Sequence, residues 1–136
     1  MKNVKKSLPD TNTIVRYLVK DNLSLYAKAE SFFDQVRNGS VGAVILESVI
    51  AECIYVLTKI YNVPKEKAAE SLINILRYKG IYNEDRNELI RALTLFSERN
   101  IDIVDCILCE KATAAKASLF SFDTELNKIM ASEPIK

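Results

Sequence analysis

The chain has 136 residues, enough to bury the core of one ordinary domain and too few for two. Hydrophobic residues make up 49% and charged residues 27%, a balance that argues against disorder and against a membrane protein. A net charge of +1 spreads no basic field over the molecule, so tight non-specific binding to nucleic acid is not expected.

In chain order, a short strand is expected to end near Asp10, although KKSLPD is less apolar than a central strand. Residues 13–19 read as a helix. A second helix over 24–37 places Ala29, Phe32, Phe33 and Val36 on one face, and Asn38 and Gly39 stop it. Residues 41–45 read as a buried strand. From 46 to 61 the apolar residues Leu46, Val49, Ile50, Cys53, Leu57 and Ile60 recur at helical spacing and predict a central helix. Pro64 suits the first turn of the next helix, whose Ala68, Ala69, Leu72, Ile75 and Leu76 face the core before Gly80. Ile81 and Tyr82 are candidates for a short strand. Asp85 and Glu88 form a capping-box pattern ahead of Leu89, Ile90, Leu93 and Phe96. Asp102 is placed to cap a helix reaching about Ala115, 118–122 reads as a strand ending at Asp123, and a helix from Thr124 closes the chain. Strands separated by helices imply one α/β domain over 1–136 with a parallel sheet covered on both faces, and such sheets bind ligands beyond the carboxyl ends of their strands.

Val41 to Leu57 is the longest apolar stretch, and Glu47 and Glu52 interrupt it, which argues against a transmembrane helix. Lys2, Lys5 and Lys6 mimic the start of a signal peptide, but polar SLPDTN follows where an apolar run is needed. A cytoplasmic protein is expected. Cys106 and Cys109 form C-x-x-C, yet with no histidine and only Cys53 besides, a zinc site lacks ligands. Asp102 and Asp105 just upstream disfavour a reactive thiolate, so all three cysteines read as core residues.

Asp10, Glu52, Asp105 and Asp123 stand at the edges of these elements. Carboxylates brought together from distant segments repel unless a hard cation lies between them, which points to magnesium or manganese. Each acid alone has an ordinary reading. Asp10, Asp102 and Asp123 suit helix N-caps, Asp105 suits a first helical turn, and Glu52 suits a surface ion pair. Periodicity does not choose between Glu47 and Glu52, which flank the same helix.

Taken in order, D-T-N at Asp10, the Glu52 helix before Y-V-L, I-D-x-V-D around Asp105 and S-F-D at Asp123 resemble the PIN-domain ribonucleases, most closely the VapC toxins of toxin–antitoxin pairs. The resemblance runs from Leu8 to about Lys128. It implies a three-layer α/β/α fold and a magnesium- or manganese-dependent endoribonuclease, with Asp10, Glu52, Asp105 and Asp123 as catalytic metal ligands. It also implies Asn12 in a supporting role through hydrogen bonds and Asp102 as an auxiliary ligand. Homodimerisation and a cognate antitoxin over the active site come from the same resemblance. The absence of histidine agrees with metal-activated water rather than imidazole acid–base catalysis of RNA cleavage. Two other readings remain open: a PIN-fold RNA-binding or RNA-processing factor with weak or no nuclease activity, and a helical interaction domain whose acids are only caps.

Overall fold

The computed structural model describes residues 5–132, so Lys2 of the basic start lies outside the described residues. Strand β1, Lys6–Ser7, pairs in parallel with β2, Gly42–Ala43, in the register Lys6 to Gly42 and Ser7 to Ala43. Ile81 adds a parallel bridge to Ala43. Asn83 then continues the pattern with its side chain: the amide accepts from Ile45 N at 2.9 Å and donates to Ile45 O at 2.7 Å. The parallel pairing follows expectation, but the sheet is smaller than expected. Pro9 lacks an N–H and stops β1 from lengthening.

Helices α1 (Thr11–Val19) and α2 (Leu23–Asn38) pack together, and α5 (Arg86–Glu98) packs on both α4 (Lys65–Leu76) and α6 (Ile103–Ala115). Between them α3, Glu47–Tyr55, contacts α1, α4 and α6, and α7, Thr124–Ser132, closes on α6. Gly39 ends α2 at φ +86°, where a residue with no Cβ is favoured. Phe33, Ile45, Ile50, Leu57, Leu72 and Leu93 lie in the core with no appreciable exposure. Cys53, Cys106 and Cys109 are all buried, as their apolar surroundings suggest.

Several local expectations are corrected. Residues 118–122 form no strand. Leu119, Phe120 and Phe122 do not alternate cleanly between two faces, so a strand there could not bury all three on one side. The segment's polar groups are also taken up locally, with Asp123 N donating to Ser121 Oγ and Asn127 Nδ2 donating to Ser121 O, each at 3.0 Å. The central helix does not run unbroken to Tyr61: it widens into a π turn over Val56–Ile60, closed by Tyr61 N to Val56 O at 3.2 Å. The added residue shifts the helical phase and leaves Ile60 61% exposed, while Leu46 sits before the first turn at 47%. Asp85 and Asp102 occupy N-cap positions without a side-chain capping bond. Asp85 instead accepts from Lys111 Nζ at 2.7 Å and Asn83 Nδ2 at 2.9 Å, the former a charge-assisted bond stronger than a cap.

Candidate active site

Asp10 ends the loop after β1 and caps α1. Its Oδ1 accepts from both the backbone N–H of Thr13, at 2.9 Å, and the Thr13 hydroxyl, at 2.8 Å. These bonds hold its pKa below the ordinary carboxylate value, so the group is ionised at neutral pH. The next residue, Thr11, donates its hydroxyl to Glu52 Oε1 through a short hydrogen bond. That bond ties the first turn of α1 to α3 and brings two acids, 42 positions apart in sequence, to one open cleft of about 370 Å³ lined also by Asn12 and Tyr61. The hydrogen bonds to these acids come from Thr11 and Thr13; Asn12 lines the cleft and is exposed.

A second acidic group gathers at the start of α6. Asp105 is half-buried in the first turn, and its pKa is raised, chiefly by burial and then by the charges of Asp102 and Asp123. Asp123 caps α7 by accepting from Leu126 N at 3.0 Å. Asp102 and Asp105 also line a groove of about 720 Å³ together with Ala51 of α3, the neighbour of Glu52. Lys59, Lys65 and Arg99 lie along that groove.

The cysteine beside each group registers the acids. Burial and the charges of Glu52 and Asp10 push the Cys53 thiol up to about 12, against an opposing hydrogen bond from Thr11. Burial, Cys109 and the neighbouring acids do the same to Cys106, also to about 12.

Asp10 and Glu52 therefore share one cleft, and Asp102, Asp105 and Asp123 share one electrostatic neighbourhood. Among the described residues no three acids stand close enough to hold one ion together. Nor does any lysine or arginine form an ion pair with these five acids among the described residues. Glu47 differs, since Lys111 Nζ lies 3.4 Å from its Oε2. The donor chemistry, all oxygen and unneutralised, fits a hard divalent cation. Thr11 and Thr13 were not singled out from sequence. A signal for Thr13 was present in D-T-N-T, because the residue three after a capping Asp donates its backbone N–H to the cap and a hydroxyl there can donate beside it, whereas the bond from Thr11 to Glu52 has no local signal.

The Asp10–Glu52 cleft lies beyond the carboxyl end of the first strand, where parallel α/β sheets place their ligand sites. The PIN domain family model matches residues 7–131, and the chain belongs to that family. No curated protein and no solved structure matches the chain. PIN domains are generally nucleases and usually depend on divalent metal, which supports a ribonuclease at that coarse level. No helix among the described residues is long and apolar enough to cross a membrane.

Proposed function

We propose that this protein is a magnesium- or manganese-dependent endoribonuclease, acting as the toxin of a toxin–antitoxin pair in the cytoplasm. The observation that carries the proposal is the concentration of unpaired carboxylates at Asp10, Glu52, Asp105 and Asp123 in a chain of the PIN family. In this reading the four acids hold the cation, Asp102 assists, Asn12 supports the cleft, and Thr11 and Thr13 orient Glu52 and Asp10. A bound divalent cation supplies Lewis acidity, easing deprotonation of water and offsetting charge on the phosphodiester. The chain's own residues orient the acids: Thr13 holds Asp10 ionised, and Thr11 fixes Glu52 beside it. The three-layer α/β/α arrangement, a single domain, a homodimer and a cognate antitoxin covering the cleft belong to the same proposal and rest on the ordered motifs.

Metal-dependent cleavage of RNA is the direct test. Wild-type protein should yield discrete internal fragments that vanish with a chelator, and manganese should raise its Tm. Asp10→Asn and Asp105→Asn should each remove most of that shift. Asp105→Asn carries a further expectation. The raised pKa means that ionising Asp105 costs folded-state stability as pH rises from the ordinary 3.8 through its higher folded value. Removing the charge should therefore slightly raise the metal-free Tm at neutral pH. Cleavage that survives the chelator, or a manganese shift that survives both substitutions, would refute the assignment.

A second reading is favoured by one observation, that no three described acids converge on a point. It makes the chain a PIN-fold RNA-binding or RNA-processing factor with weak or no nuclease activity. RNA binding without fragments in manganese would select it.

A further inference from the structure

Phe120 and Phe122 are 86% and 92% exposed, an extreme for phenylalanine in a folded chain. Their rings meet edge to face with centroids 5.5 Å apart. They do not sit on a loose loop. Leu119 turns inward against Cys109, Leu126 and Ile129. Ser121, between the two rings, is held by Asp123 N on its hydroxyl and by Asn127 on its carbonyl, both at 3.0 Å. Asp123 in turn caps α7 through Leu126 N. The turn thus has one apolar residue in, two rings out and a carboxylate at its end whose charge reaches Asp105.

We propose that Phe120 and Phe122 form a preorganised stacking platform for an unpaired base of single-stranded RNA, next to the acidic site. The proposal rests on the nuclease reading and names how its substrate is gripped. Area decides between a nucleobase and a protein as occupant. Two phenylalanine side chains offer about 500 Å² at most, whereas a protein partner needs roughly 800 Å² on each side. An aromatic face suits a base, and stacking on side chains is how unpaired RNA bases are commonly held. Fixing the turn beforehand lowers the ordering cost of that contact. The platform selects for unpaired over duplex RNA, because bases within a helix present no free face.

The chain has no tryptophan, so Phe122→Trp places a single fluorescent indole on the platform. Mixing that variant with oligo-adenylate RNA should quench the indole in the first moments, before cleavage, while an oligomer of abasic sugar-phosphate units should not. In parallel, the double variant Phe120→Ala, Phe122→Ala should raise KM for single-stranded RNA about tenfold or more with kcat little changed and Tm unaltered. Absence of quenching, equal quenching by the abasic oligomer, or an unchanged KM overturns the platform. A fall in Tm, or a changed oligomeric state without base-dependent quenching, assigns the rings to packing or protein contact and overturns it too. Base-dependent quenching in a protein that cuts no RNA would uphold the platform while the nuclease reading fell.

Discussion

Thr11 and Lys111 give two glutamates of one helix opposite fates. Glu52 accepts a hydroxyl from Thr11 beside Asp10 and forms no ion pair among the described residues, whereas Glu47 faces Lys111, which Asp85 also holds. Five residues turn a helix through about 500°, or about 140° net, so the two side chains cannot serve one ion. Substituting Gln keeps the size of either side chain and removes the charge a divalent cation needs. Glu52→Gln should reduce cleavage by roughly a hundredfold or more and weaken manganese binding. Glu47→Gln should leave activity near wild type and cost at most about 1 kcal/mol, as befits a half-exposed ion pair. Parallel cleavage assays and manganese titrations check this, and the reverse pattern would move the site to the other flank of α3.

At the scale of elements, Gly80 matters for a reason other than ending a helix, since α4 stops at Leu76. Its N–H donates to Val36 O at 2.7 Å and its carbonyl accepts from Ala43 N at 2.8 Å. A Cβ there would press on the carbonyl of Val41 and lie 2.6 Å from that of Val36, neither of which can swing aside. At Gly39, by contrast, a Cβ meets only the flexible side chain of Lys79 at 3.0 Å, though φ is positive. In urea unfolding, Gly80→Ala should cost about 3 kcal/mol or more through overpacking, and Gly39→Ala about 1–2 kcal/mol through backbone strain. Equal losses would refute the close approach. The helices were legible because their apolar period survives wherever burial is one-sided, as in Ala68, Ala69, Leu72, Ile75 and Leu76. What could not be read was decided by competition among partners. Lys111 drew Asp85 away from its cap, a π turn rotated Ile60 outward, and Ser121 with Asn127 consumed the hydrogen bonds of an expected strand. The acids themselves were visible in order along the chain, but the division into an Asp10–Glu52 cleft and an Asp105 neighbourhood depends on helix packing that no local motif encodes.

Across the whole molecule, the two acidic groups are joined through α3 and α6, and each of those helices buries cysteine beside its acid. Cys53 follows Glu52 and Cys106 follows Asp105, both fully buried with thiols pushed up to about 12. At neutral pH they are protonated and out of reach of a reagent until the packing opens. In the proposed site a divalent cation would bind only the folded arrangement of the acids, so it would stabilise the closed state by mass action and leave the opened state without a site. At a free manganese concentration of about 100 Kd the gain is about 2.7 kcal/mol, equivalent to roughly a hundredfold fewer open molecules. Labelling by a thiol reagent, in the regime where opening is rapid and reaction is slow, should then fall by about that factor when manganese is added. In Asp105→Asn most of the protection should disappear, although the cysteines remain buried. Prompt labelling of the native protein, or protection by manganese that is undiminished in Asp105→Asn, would sever the link between the cation and the packing of α3 on α6.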